Sequence, residues 1–512
     1  MSASSPLPVD ELPEATLGRS AGRSALVLFA AQWLSKAATT IVVIVLARLL
    51  VPEDFGIVAV ATVAVGVLTA IADLGFGTAI VRHPDLTDRH LNTAFWASVA
   101  TGALLTAVVA SAAGPVATAL GDSQATPILR LMALNSTLAA LSSVQMGLLK
   151  RSFRFSELAV RNIVSTIGAA IVAIGLAWAG AGPYALAVQL LVGTALGCAM
   201  LWRVSEWRPS LSVGRSEFRD LLGFSASVTG IRLMSTANKN VDNLIISLNL
   251  GSSALGIYTI AYRFYRVVVD SVLTSVSGVS LPSFARLQHD AAAMRDALYR
   301  ATRISALVGI PLFAGLGLVA PTLFPAVFGP QWDEAIVPSQ FLVVNGVVMS
   351  VTYFSQALLL AKGRGGLTLT MNIARLIVNT LGFLIGVQYG IVGVAASVAI
   401  TSVLFWPVQF LILRRVAGLS PLHYLRQVVV PVIGMIAMAA AVLPLQTALE
   451  GQIPGLLALV TLVAAGAVVY GLVAFVFDRD TLRVLFSLLR RSRSTDSSEV
   501  PTAVGIDTDE DQ

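Results

Sequence analysis

Charge is scarce in this chain and cysteine nearly absent. Of 512 residues only 12% are Asp, Glu, Lys or Arg, against 56% hydrophobic, and the mean hydropathy is +0.81. Such a balance excludes a soluble globular protein and leaves a polytopic membrane protein. The single cysteine, Cys198, excludes an internal disulfide, and its place inside an apolar run favours a small packing role. His83, His90, His289 and His423 fall in connectors without a ligand cluster, so nothing supports a metal site or implies a cofactor. Lys362, Gly363, Arg364, Gly365 and Gly366 lack P-loop spacing and the Ser or Thr that would follow, so ATP hydrolysis is not indicated. Asp478, Arg479 and Asp480 form a D-x-D just past the last apolar run, where three charges are better read as a solvated cap than as a nucleotide-sugar site. With no nucleophile set beside a base, the chain reads as a transporter, not an enzyme. The first twenty residues hold Asp10, Glu11 and Glu14 and no short apolar core, so no removable signal peptide is expected.

What is present is a succession of apolar runs of roughly 20 residues or more, each able to cross a ~30 Å hydrocarbon core. About fourteen lie between residues 24 and 477, an all-α fold. Loops after even-numbered spans carry Arg82 and Arg89; Lys150, Arg151 and Arg154; Arg203, Arg208, Arg215 and Arg219; Arg286 and Arg295; Lys362 and Arg364; and Arg414, Arg415 and Arg426. Loops after odd-numbered spans hold no Lys or Arg. Because basic loops resist translocation, the alternation places both termini and the even loops in the cytoplasm, as for a multi-pass protein of a bacterial cytoplasmic membrane. The net charge of +6 therefore speaks of membrane orientation and not of nucleic acid. Outer loops are too short for an extracytoplasmic domain. Residues 204–222 and 283–300 mix aromatic and charged groups, which suits short interfacial helices or plain connectors.

Two internal echoes point to a repeat. Leu50, Gly56, Ile57 and Ala61 recur as Leu250, Gly256, Ile257 and Ala261; Arg161, Ile163, Val164, Thr166, Gly168 and Ile171 recur as Arg375, Ile377, Val378, Thr380, Gly382 and Ile385. Six spans return a chain to the same side, so the second copy enters the membrane the same way round. The expected organisation is a tail (1–23), an N-lobe of six helices (24–203), a connector (204–217), a C-lobe of six helices (218–416), an added helix pair (417–477) and a polar tail (478–512).

Ionisable groups inside the spans are the functional candidates. Arg232, Lys239 and Asp242 follow i, i+7, i+10 in span seven (218–250), and Arg263, Arg266 and Asp270 follow i, i+3, i+7 in span eight (254–282), each set on one helical face. Span one adds Lys36, span two Asp73 and span eleven Arg375. A cation at the bilayer centre costs about 2.5 to 3.5 kcal/mol on insertion scales, so several together imply water, acidic partners or a ligand. Basic groups outnumber acidic ones, so a cavity of surplus positive charge suited to an anion is expected. Asp73, Asp242 and Asp270 are the candidates for coupling to Na⁺ or H⁺. Arg130, Arg161, Arg300 and Arg303 lie nearer helix ends, where they can snorkel to headgroups.

The run VDNLIISLNLGSSALGIYTIAYR, followed by LPSFARLQHD and VFGPQWDEA, resembles the polysaccharide transporter family of lipid-linked oligosaccharide flippases; ARLLVPEDFGIVAVA and GPYALAVQLLVG look like its N-terminal half. The resemblance covers residues 24–416 and implies the superfold shared with multidrug and toxin exporters (MATE-like) and lipid II flippases. It implies movement of undecaprenyl-pyrophosphate-linked oligosaccharide to the outer leaflet by alternating access, alongside a polymerase and glycosyltransferases of the same pathway. The alternative on this superfold is an ion-coupled exporter of small molecules. By resemblance, spans one, two, seven and eight line a central cavity, which would gather Lys36, Asp73, Arg232, Lys239, Arg263 and Arg266.

Overall fold

A chain in hydrocarbon must satisfy its backbone hydrogen bonds internally, and a chain with this pattern does so as helices. The computed structural model describes residues 34–72, 74–269, 284–288, 290–479 and 481–483, and among these all regular structure is helical. The first helix, α1, covers 34–49. A tight turn follows, in which Asp54 Oδ2 accepts the Val51 N–H at 3.1 Å, and Pro52 opens α2 (Pro52–Ala72). Span two is broken, because Leu74 and Gly75 both take left-handed conformations (φ 48° and 70°) before α3 (Phe76–Arg82). Thr87 caps α4 (Asp88–Ala119) together with His90 in a reciprocal capping box. The next span bends by 40° between α5 (Ala125–Ala140) and α6 (Ser143–Arg151). α7 (Phe155–Trp178) and α8 (Pro183–Val204) form a packed pair.

α9 (Arg215–Val268) contains the next two spans, folded back on each other at Gly251, whose φ of 81° and ψ of −178° only glycine adopts readily. α10 (Ala291–Leu323) contains Pro311 and Pro321 and ends in a π-helical turn (Phe324–Phe328) and a 3₁₀ turn (Pro330–Ala335). α11 (Ile336–Thr352), α12 (Ser355–Ala361), α13 (Gly365–Gly386), α14 (Gly390–Ala417), α15 (Pro421–Leu449) and α16 (Gly455–Phe477) complete the bundle. Among the described residues, 9 helical stretches are long and apolar enough to cross a membrane, or 10 with the bent α5 and α6 joined. The number fourteen is not fixed by this criterion: α13 and α14 count as one stretch across Gly386–Gly390, and the ends of spans one and eight lie outside the described residues.

Two connectors differ from the interfacial helices allowed for above. Residues 205–214 are extended, held where Asn92 Nδ2 donates to Ser210 Oγ and Ser212 Oγ (2.8 and 2.9 Å) and Trp96 Nε1 donates to the Ser210 carbonyl (2.9 Å). Residues from Ala291 onward are simply the first turns of α10, capped by Asp290.

The most extensive packing is of α2 against α9. There the two echoed glycines meet reciprocally. A Cβ on Gly56 would stand 1.7 Å from the Ser252 carbonyl oxygen, and one on Gly256 would stand 1.8 Å from that of Pro52. Corresponding positions also share burial: Val60 with Ile260 and Ala61 with Ala261. Reciprocal contact of equivalent surfaces is what two-fold pairing produces.

α15 and α16 pack on each other and on α10. Tyr470 Oη donates to the Leu307 carbonyl at 2.8 Å, and Gln446 Nε2 to Thr322 Oγ1 at 2.9 Å. Arg303 does not snorkel, and Asp478 is not a solvated cap. The two form a bidentate pair, Nε to Oδ2 at 2.8 Å and Nη2 to Oδ1 at 2.6 Å, with the carboxylate buried.

Candidate functional site

Helical periodicity assembles the site. On one arm of α9, Lys239, Asn240 and Asn243 share a face; on the other, Thr259, Tyr262, Arg263 and Arg266 recur at i, i+3, i+4 and i+7. Both faces look into a cavity of about 860 Å³ completed by α1, α2, α7 and α8. Lys36 and Thr39 enter from α1, Arg161 and Ser165 from α7, and Gln189 and Thr194 from α8. Five basic side chains, Lys36, Arg161, Lys239, Arg263 and Arg266, therefore line one volume. No Asp or Glu lines it among the described residues.

An aromatic wall packs against one of these cations. Arg263 holds its guanidinium carbon 6.0 Å from the centre of the Phe55 ring, which itself stands edge-on to Trp332 at 5.2 Å. Trp332 is fully buried and donates to the Ala47 carbonyl at 2.8 Å, which ties this aromatic wall to α1. An anion within 4 Å of one such cation gains about 4 kcal/mol at an effective dielectric near 20, before its own desolvation. Hydroxyl and amide groups between the cations suit polar, hydrogen-bonding cargo. No group of three metal-ligating side chains occurs among the described residues.

Of the residues singled out from sequence, Lys36, Lys239, Arg263 and Arg266 come together here. Arg232 does not line the cavity; its Nη2 donates to Thr78 Oγ1 on α3 at 3.1 Å, joining α9 to the short helix after the α2 break. Arg375 also stands apart. Its Nη2 donates to Asn345 Oδ1 (3.2 Å) and Ser402 Oγ (3.1 Å), and Asn345 Nδ2 donates in turn to Tyr265 Oη (2.6 Å). Asp242 is buried off the lining, its carboxylate accepting from Tyr258 Oη and from the Asn243 N–H, each at 2.9 Å. Asp73 and Asp270 lie outside the described residues.

Arg161 is the addition. Its guanidinium lies against α8 where Gly197 leaves room: a Cβ there would stand 2.7 Å from Nη2. Its position near a helix end suggests snorkelling, which its place in the cavity lining corrects; its echo in Arg375 is the sequence signal that points to it. The two arginines that echo each other in sequence thus differ, one facing the cavity and one locked in a polar network.

Residues 45–337 match the family model described as polysaccharide biosynthesis protein. The chain belongs to this family. The polysaccharide biosynthesis proteins similar to it include the teichuronic acid biosynthesis protein TuaB of Bacillus subtilis (strain 168), 26% identical over 432 residues, 83% of this chain and 88% of the relative. The succinoglycan biosynthesis transport protein ExoT of Rhizobium meliloti (strain 1021) is 32% identical over 293 residues, 57% of this chain and 59% of ExoT. The lipopolysaccharide biosynthesis protein WzxC of Escherichia coli (strain K12) is 23% identical over 395 residues, 76% of this chain and 80% of WzxC. In fold the chain is similar to the lipid II flippase MurJ in an inward closed conformation, with a TM-score of 0.71 at 14% identity over 89% of this chain and all of MurJ. An inward-facing MATE multidrug transporter gives a TM-score of 0.60 at 15% identity over 77% of this chain and 99% of that one. The architecture of this family member is therefore that of an all-helical, multi-pass membrane protein of the MurJ and MATE type.

Proposed function

We propose that the protein is a flippase that carries a polyprenyl-pyrophosphate-linked oligosaccharide from the cytoplasmic to the outer leaflet for surface polysaccharide biosynthesis. The observation that carries this reading is the cavity lined by five basic side chains and, among the described residues, no carboxylate. A pyrophosphate is the part of such a lipid that needs cations, and the hydroxyl and amide groups between them suit the saccharide. No bond is broken, in keeping with a relative named as a transport protein. In this reading residues 24–203 and 218–416 form the two lobes, and 417–477 an added helix pair. Both termini are cytoplasmic in this reading, which the basic loops support. Lobes that meet or part at the turns joining α2 and α9 expose the cavity alternately to each side.

Outward movement of negative charge runs with an inside-negative potential, about 2.3 kcal/mol per charge per 100 mV. That supplies directionality without ATP; buried Asp242 is the described candidate for an added H⁺ or Na⁺ step. A polymerase and glycosyltransferases of the same pathway are the expected functional partners. The basic lining disfavours the cationic cargo of a multidrug exporter.

The test is movement of a fluorescent lipid-linked saccharide across proteoliposomes. Changing Lys239→Gln together with Arg263→Gln should slow it at least about tenfold, the loss of one or two charge-assisted contacts. Undiminished movement by the double variant would refute the basic cavity. A deletion strain that lost drug efflux without accumulating lipid-linked saccharide would favour the exporter instead.

A further inference from the structure

A second cavity, of about 620 Å³, lies between α3, α6 and the start of α7. It has two kinds of wall. Lys150, Arg151, Arg161 and Asn162 are polar; Val81, Phe155 and Leu158 are among the apolar residues. Arg161 lines both this cavity and the central one.

Charge here is not used up internally. Arg151 is committed to structure, donating to the Ile80 and His83 carbonyls at 2.9 and 2.5 Å and so closing α6 onto the end of α3. Arg161 donates through Nη1 to Asn162 Oδ1 at 3.0 Å, but its buried Nε has no hydrogen-bond partner among the described residues. A buried donor of this kind calls for an acceptor. Lys150 is exposed at the mouth. Glu157 pairs through Oε1 with Arg154 at 2.7 Å and does not line this cavity. Beside the mouth, Phe153 takes a left-handed conformation (φ 56°), unusual for a bulky residue, and presents a ring 74% exposed, edge-on to Phe155 at 5.8 Å. A strained backbone that holds an aromatic ring outward on a membrane protein suits the headgroup and acyl boundary, where aromatic rings gather.

We propose that this cavity binds the phosphate of an anionic lipid headgroup from the cytoplasmic leaflet, with Lys150 and Arg161 as the cationic ligands and the apolar wall against the glycerol and upper acyl chain. The loop of residues 150–154 is one that the basic-loop pattern assigns to the cytoplasm, which sets the mouth at headgroup level. The site is independent of which saccharide or ion the central cavity serves.

Native mass spectrometry of the full chain in detergent, titrated with phosphatidylglycerol, phosphatidylcholine or inorganic pyrophosphate, tests this. Val81 and Lys150 are exposed, so Val81→Trp and Lys150→Gln leave the packing intact. Phosphatidylglycerol retention should weaken about tenfold in Lys150→Gln and in Val81→Trp, and stay unchanged in Lys239→Gln, which alters only the central cavity. Phosphatidylcholine should be retained weakly by all. Equal retention of the two lipids, or loss in Lys239→Gln without loss in Lys150→Gln, would overturn the site. Displacement of phosphatidylglycerol by inorganic pyrophosphate at equal concentration would assign the cavity to a soluble anion and overturn the lipid source.

Discussion

The reciprocal glycine contact between α2 and α9 makes a quantitative demand. In Gly56→Ala the new methyl would lie 1.7 Å from the Ser252 carbonyl oxygen and 2.4 Å from its carbon; in Gly256→Ala it would lie 1.8 Å from the Pro52 oxygen. Both obstacles are backbone, so no side chain can swing aside. The turns must part by about 1.5 Å to restore ordinary contact, an overpacking that typically costs 1 to 3 kcal/mol. The cost falls only on the conformation in which these turns touch, at the end that is outside in the proposed topology. Conformers with the turns apart are unaffected, so their population relative to the closed form should rise by about 5- to 150-fold. The double variant should shift it by less than the product of the two singles, since one separation relieves both clashes. Cysteines at exposed Glu53 and Ser253, in a Cys198→Ser background, carry spin labels whose dipolar distances report the two populations. Gly114→Ala is the control, because a Cβ there meets nothing within 4 Å. A Gly56→Ala distance distribution identical to that of Gly114→Ala would refute the claim that this contact closes the outer end.

Two further perturbations address the polar interactions off the cavity. Asp478→Ala strands the Arg303 guanidinium and should lower stability by about 2 kcal/mol, read as a fall in the thermal midpoint in detergent; replacing both with apolar residues of similar size should recover most of it. Tyr258→Phe removes the donor to buried Asp242 and should destabilise by about 1 to 3 kcal/mol, while Asp242→Asn, if Asp242 takes up the coupling ion, abolishes the dependence of transport on that ion's gradient. A transport rate that keeps its full gradient dependence in Asp242→Asn would remove this carboxylate from the coupling step.

Helical class and membrane character were legible because hydropathy acts locally: among the described residues 9 helical stretches, or 10 with α5 and α6 joined, are long and apolar enough to cross a membrane. Breaks inside spans were less so. Leu74 carries no mark of its left-handed conformation, and Gly251 looks like any membrane glycine until its φ is known. Within the site, periodicity grouped Lys239 with Arg232 and Arg263 with Arg266, and of these Lys239, Arg263 and Arg266 line the cavity. It could not say how far along the helix the cavity extends, and Arg232 lies beyond that extent, bonded to Thr78. The pairing of Arg303 with Asp478 joins residues 175 positions apart, which no local pattern encodes.

The contrast between Arg161 and Arg375 shows why a sequence echo speaks more of the backbone than of chemistry. Main-chain contacts such as those of Gly56 and Gly256 depend on the absence of a side chain, so both copies must keep them for the hairpins to meet. Arginine is different, since its long side chain answers to whatever surrounds its tip. Around Arg375 stand Asn345 and Ser402, which take its Nη2 protons, and Tyr265, bonded to Asn345, closes the network. Around Arg161 stand Gly197, which only makes room, and Asn162, which takes one donor and leaves the buried Nε unpartnered among the described residues. The same residue in the same register is therefore consumed in one copy and kept available in the other. Filling that room should change the role: in Gly197→Ala the new methyl, 2.7 Å from Nη2 as Arg161 now stands, would push the guanidinium from its place and weaken anion binding in the cavity without removing a single positive charge.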